Sequence, residues 1–172
     1  EVGSLSGTIW KGRALAVGSS RLQAEQVSWR VRPAALLKGA VVIELKGSIV
    51  DGFAEGSLQL TRNRVSITVL NGRFPAFPWS SVAEQLTGQA VTLDGSFTFA
   101  IDLLELDYAG KISRADGRLA WHEAAITVDR HAELGGITTT LTAADGWLSG
   151  DLGDTGGALN LAGEWRLNPL DG

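Results

Sequence analysis

The 172-residue chain contains no cysteine and no methionine, and only four prolines, two histidines and one tyrosine. Without cysteine it forms no disulfide, offers no thiolate to a metal and carries no thiol nucleophile. That absence leaves the compartment open, because exported proteins can lack disulfides and cytosolic ones can lack thiols. Methionine is missing even at the first position. An initiator methionine is normally retained before a large acidic residue, so a processed or truncated chain is expected from Glu1, which leaves room for a leading signal or membrane anchor. No run approaches the roughly 18 apolar residues needed to cross a bilayer, so these residues are expected to form a soluble part.

Charge of one sign is also scarce in each half. Residues 1–73 hold 10 Lys and Arg against 5 Asp and Glu, and residues 74–172 hold 5 against 14, giving net +5 followed by net −9. A basic half suits an anionic membrane surface and an acidic half can steer a basic partner. Neither half contains a run of like charges, so an ordinary solvated surface accounts for the asymmetry equally well. The acidic total and the lack of a basic stripe disfavour nucleic acid as a partner.

What is present is glycine and apolar alternation. With 44% hydrophobic and 20% charged residues the chain has enough apolar surface for a core, and its length fits one domain. Twenty-two glycines against four prolines is the profile of many short strands joined by glycine turns. The expected fold is all-β: a strongly curved antiparallel meander, a half-open barrel or groove, with one or two short helices.

In chain order, Gly7 to Ala14 reads as a short strand with Trp10 at its centre. A second strand sharpens toward Val27, Trp29 and Val31, and Pro33 opens a helical turn that Gly39 closes. Val41, Ile43 and Leu45, then Leu58 and Leu60, then Val65, Ile67 and Val69 alternate with polar residues, as strands with one wet face do. Asp51-Gly52 and Asn71-Gly72 are hairpin dipeptides. Phe74 to Trp79 is an extended aromatic segment. A short helix over Ser80–Leu86 follows, with Ser80 as N-cap and Ala83 and Leu86 facing inward. This segment is expected to plug one end or edge of the sheet, in preference to forming a peptide-binding ledge, because clustered large aromatics are normally core.

Strands resume at Gln89. Val91 and Leu93 lead through Asp94-Gly95 to Phe97, Phe99, Ile101 and Leu103. The change of parity at Leu103-Leu104 predicts a bulge, or a strand that crosses from one side of the core to another. Asp116-Gly117, Gly135-Gly136, Asp145-Gly146, Gly156-Gly157 and Gly163 punctuate the remaining strands, whose apolar members include Trp147, Leu159, Leu161, Trp165 and Leu167.

Chemistry is sparse. Asp129, His131 and Glu133 alternate as strand ligands for a metal would, but Arg130 and Gly135-Gly136 fit a solvated hairpin loop better. Glu105 and Asp107 lie at strand spacing on a face expected to be wet, where neither would be desolvated enough for acid–base work. No nucleophile elbow, zincin, P-loop or dinucleotide fingerprint occurs. An enzyme is the poorer class, and no cofactor or metal is expected. The six tryptophans, at 10, 29, 79, 121, 147 and 165, are expected to converge mainly in a core, each indole N–H finding a partner, in preference to lining a ligand groove.

Gly7-Thr8-Ile9-Trp10-Lys11-Gly12-Arg13-Ala14, Trp29 before Pro33 to Gly39, Gly117 to Trp121 with Ala124-Ala125 and Leu134-Gly135, and the closing Gly163 to Pro169 together resemble the type II secretion system protein N family. The similarity spans nearly the whole chain and marks Gly7, Trp10, Gly12, Trp29, Pro33, Gly39, Trp121, Gly163 and Pro169 as its structural motif residues. The resemblance implies an inner-membrane protein with one N-terminal anchor, now absent, and a periplasmic domain. It implies an accessory subunit of the machine that exports folded proteins across the outer membrane, with other subunits of that system as partners and no catalytic residues. Because some such systems lack the subunit, an assembly or stabilising role is expected. A looser similarity, to curved periplasmic sheets of the AsmA-like and lipoprotein-carrier kind, makes a lipid or other hydrophobic ligand the alternative partner. That alternative needs the Phe97-Phe99-Ile101 face to be open and not plugged by residues 74–86.

Overall fold

The computed structural model describes residues 2–19, 22–49, 51–144, 146–158 and 160–168. Eleven strands form one antiparallel sheet whose spatial order is its chain order. They are β1 (Val2–Gly7), β2 (Lys11–Ser19), β3 (Leu22–Val31), β4 (Val41–Ile49), β5 (Gly52–Leu60), β6 (Val65–Pro75), β7 (Thr92–Leu106), β8 (Ile112–Thr127), β9 (His131–Ala144), β10 (Trp147–Asp154) and β11 (Ala162–Leu167). The sheet is open and does not close into a barrel, so β1 and β11 are its edges. Of the expected forms, the structure is the open one.

The register sorts the side chains by face. Leu58, Ile67, Leu104 and Ala115 stand in line across β5 to β8, and Leu60, Val65, Leu106 and Ile112 form the neighbouring line. Toward the first edge the same face continues through Leu45 and Trp29, then Gly12 and Gly7. Period-2 alternation therefore builds one apolar face, and the other carries Glu44, Ser57 and Thr68 in line. Nothing in the described chain forms a second layer over most of the apolar face. The buried hydrophobic residues are all alanines, and among the described residues no large side chain is fully buried. Most domains bury such a face against another layer; here it stays half-exposed.

Several glycine dipeptides, among them the expected hairpin turn Asn71-Gly72, lie inside long strands. Asn71-Gly72 sits within β6, Asp94-Gly95 within β7 and Asp116-Gly117 within β8. Their glycines answer a different need. A Cβ on Gly117 would stand 2.9 Å from the Ala100 carbonyl oxygen and 3.0 Å from the Ile101 Cα, so close backbone approach demands glycine there. Gly95, at φ 94°, forms the bulge that shifts register between Asp94 and Ser96. Of the two alternatives at the Leu103-Leu104 parity change, the bulge is the one found, as a register shift between Ile101 and Leu103. A second shift, between Glu55 and Ser57, opposes Val69, whose φ of 53° turns it outward to 60% exposure and puts Leu70 on the apolar face in its place.

Gly7 to Ala14 is likewise a hairpin and not one strand. Gly7 ends β1 at φ 106°, and the Thr8 hydroxyl accepts from the backbone N–H of Trp10 and of Lys11, both at 3.2 Å, which leaves Trp10 in the turn. Pro33 opens α1 (Pro33–Leu36) at its first position, as expected, and Gly39 at φ 70° leads back to the sheet. A 3-10 turn over Phe77–Trp79 leads into α2 (Ser80–Thr87). Ser80 is the first helical residue, not the cap; its hydroxyl accepts from the Leu93 N–H at 2.8 Å and ties the helix to β7. Of the two residues expected inward, Ala83 is half-buried and Leu86 is 83% exposed.

Candidate functional site

The apolar face has two regions. At the β6–β8 end, Phe74, Phe97 and Trp121 stand in line. The Phe74 ring lies 5.6 Å from Phe97, 5.8 Å from Phe99 and 5.7 Å from Trp79, and Phe97 lies 5.2 Å from Trp121. These tilted, offset pairs are the geometry that aromatic quadrupoles favour. Ala76 is fully buried beneath the turn, and its N–H donates to the Gly95 carbonyl at 2.9 Å. The expected plug is therefore a partial one. It covers the end of this aromatic cluster and leaves Phe77 66% exposed.

The tryptophans do not converge in one core. Trp79 and Trp121 join the cluster, whereas Trp10 lies in the first turn and Trp147 packs under the Arg166 guanidinium at 4.7 Å. Three indole N–H groups find partners as expected: Trp29 donates to the Thr8 carbonyl at 3.2 Å, Trp121 to the Asp94 carbonyl at 2.8 Å and Trp165 to the Thr139 hydroxyl at 2.6 Å. A meander spreads its residues across the sheet in chain order, so tryptophans far apart in sequence stay far apart in space.

The second region lies over β3 to β6, away from α2. A groove of about 340 Å³ is walled by Val27, Leu45, Leu58, Ile67 and Leu70, with Gly47 and Gly56 among its lining. A Cβ on Gly47 would meet nothing closer than the Gln26 carbonyl at 3.7 Å, so the space beside it is free. Glycine inside an alternating apolar run was the sequence signal for this groove; its depth follows only from register, which sets Gly47 opposite Val27 and Ala54.

The opposite face carries the charge. Arg32 pairs with Glu44, Lys46 with Glu55 at 2.6 Å and Arg64 with Glu105 at 3.0 Å. Of the carboxylates singled out in the sequence, Glu105 is thus ion-paired, and Asp107 accepts from the N–H groups of Ala109 and Lys111, both at 2.9 Å. His131 begins β9 with Nδ1 3.0 Å from the Thr127 hydroxyl, and Asp129 and Arg130 form the polar turn before it. Among the described residues no three His, Asp or Glu side chains gather as a metal site.

Of the motif residues, the structure brings three together. Gly7, Gly12 and Trp29 are successive register partners, and the indole covers Gly12 so closely that a side chain there would enter its ring. Trp10 tops the adjoining turn, its carbonyl accepting from the Val31 N–H at 2.7 Å. Pro33 and Gly39 bracket the β3–β4 connection, Trp121 belongs to the aromatic cluster, and Gly163 lies opposite Leu152 at the far edge. Pro169 lies outside the described residues, as do Asp145 and Leu159.

Residues 1–172, the whole chain, match the family model of type II secretion system protein N. The chain belongs to that family. Family membership makes it a component of the type II secretion system, which acts with other components of that machine. No curated protein and no solved structure matches the chain. Among the described residues no helix is long and apolar enough to cross a membrane.

Proposed function

We propose that this chain is a non-enzymatic accessory subunit that assembles or stabilises the type II secretion system, acting as a docking sheet in the periplasm and held to the inner membrane by an N-terminal anchor. The observation that carries the docking role is the unpartnered apolar face: its lines of apolar residues run across β3 to β8, and among the described residues no large side chain is fully buried. Such a surface is a partner-binding feature when it exceeds a few hundred Å². The anchor and the periplasmic setting rest on what the family resemblance implies. The test is to delete the gene, restore it with a variant carrying Leu45→Glu on the apolar face, and measure secretion and co-purifying subunits. Restored secretion with full subunit recovery would refute docking through this face.

A second reading is favoured by one observation, the β3–β6 groove. The rings of Phe74 and Trp79 partly cover Phe97 and Phe99, but the groove lies beyond them and is lined almost wholly by apolar side chains. It has the character of a site for an acyl chain or similar apolar ligand. Stoichiometric lipid in the protein extracted from its own membranes supports this reading, and its absence counts against it.

A further inference from the structure

The two edges of the sheet differ in a way that assigns one of them a partner. β11 carries Glu164 and Arg166, charges of the kind that discourage edge pairing. β1 reads Val-Gly-Ser-Leu-Ser-Gly, with no charge and no proline, and Leu5 on it is 71% exposed. An edge so bare is open to strand addition.

Beside it lie cations without partners. On the polar face Lys11 and Arg30 are direct register partners across β2 and β3, and Arg13 stands opposite Ser28 on β3 and Ser6 on β1. Like charges placed directly opposite destabilise a sheet. Glu44, opposite Arg30 on β4 and also lining the trough, is bonded to Arg32, and Glu55 is bonded to Lys46, so among the described residues Lys11, Arg13 and Arg30 form no ion pair. These groups line a trough of about 550 Å³, four cations with Lys46 against the one carboxylate of Glu44, that also touches Ser6 and Ser28. Serines on β1 keep the trough open toward the edge. A strand added outside β1 would lie about 10 Å from β2, two strand spacings, within the combined reach of an arginine and a glutamate side chain.

We infer that β1 accepts an extended segment of a partner protein as a twelfth strand, and that this segment alternates acidic residues over the Lys11–Arg13–Arg30 trough with apolar residues beside Leu5. Backbone hydrogen bonds supply the register-independent part of the binding, and the two side-chain rows supply the selectivity. The inference deepens the assembly role, because it names the chemistry of the docking segment.

The test uses the full chain and three probes: a blocked heptapeptide alternating glutamate and valine, its lysine–valine counterpart, and vesicles of phosphatidylcholine with a minor share of phosphatidylglycerol. The glutamate peptide is expected to bind at least about tenfold tighter than the lysine peptide, with the preference shrinking as salt rises. Amides of Ser4 to Gly7 should gain protection from hydrogen exchange on binding. Arg13→Gln is expected to weaken the glutamate peptide several-fold and Leu5→Asp to abolish its binding, whereas Arg64→Gln, at an already paired site, leaves it unchanged. Unaltered exchange in β7 and β8 verifies that each variant is folded. Equal binding of both peptides, or binding without protection of β1, overturns the inference. Capture of the anionic vesicles in place of the peptide overturns it in favour of a membrane surface. Peptide addition at β1 without recovery of secretion subunits by cross-linking at Leu5 in cells would leave the strand site standing and remove the assembly role; subunits recovered without peptide addition would do the reverse.

Discussion

The ring of Phe99 occupies the space that a side chain on Gly72 would need: the two residues are register partners, and a Cβ on Gly72 would run into the Phe99 ring edge and approach the Phe53 carbonyl oxygen at 2.6 Å. Gly72→Val is therefore expected to destabilise the protein by about 1–3 kcal/mol through overpacking. Urea denaturation checks it; the midpoint should fall with little change in slope.

Gly47 behaves oppositely. Its Cβ would make only ordinary contacts, the nearest being the Gln26 carbonyl oxygen at 3.7 Å and the Val27 Cγ2 at 3.9 Å. Gly47→Leu should fold with near-native stability while filling the β3–β6 groove. Binding of an apolar fluorescent dye, if it occurs in that groove, is expected to fall at least about tenfold in the variant, because about four buried carbons are displaced at ~0.8 kcal/mol each.

The indole of Trp121 donates to the Asp94 carbonyl at 2.8 Å beside the Gly95 bulge. Trp121→Phe keeps the stacking on Phe97 and removes the donor. A loss of about 1 kcal/mol is expected. Faster amide exchange around Gly95 than around Leu104 would show that the loss is local to the bulge.

Asp154 organises the β10–β11 connection. Its carboxylate accepts from the Leu161 N–H at 2.8 Å and the Gly156 N–H at 3.0 Å, and these bonds, Leu161 foremost, hold its pKa below the ordinary 3.8. A depressed folded pKa means the carboxylate stabilises the fold above the unfolded value and ceases to do so as pH falls through the folded one. Protection of the Leu161 amide should therefore persist at pH 5 and be lost progressively below pH 3.8. In Asp154→Asn that acid transition should be absent.

The strand faces were legible in the sequence wherever alternation was unbroken, as at Val41, Ile43 and Leu45. The parity change at Leu103-Leu104 was legible too, though the sequence left a bulge and a crossing strand as alternatives and only the register decides for the bulge. What misled was glycine. Asn71-Gly72, Asp94-Gly95 and Asp116-Gly117 have hairpin composition, but in long strands those glycines serve close packing or bulges, and only their neighbours across the sheet reveal it. Large aromatics usually enter a core, which is why the segment after Phe74 has the composition of a plug; in a sheet with no second layer over most of its apolar face there is little core for it to enter. The docking features were least legible. The Lys11–Arg30 like-charge pair and the Gly47 groove both depend on which residues face each other across strands, and sequence spacing alone does not supply that register.

The central claim, that the open sheet of this family member docks other secretion subunits, is tested most directly by placing a photo-cross-linking residue at Leu45, in the middle of the apolar face, in cells secreting through the system. Mass spectrometry of the adducts should identify one or more type II secretion subunits joined at that position. Adducts to lipid alone, with no secretion subunit at Leu45, would contradict the account and leave the apolar-ligand groove as the function of this face.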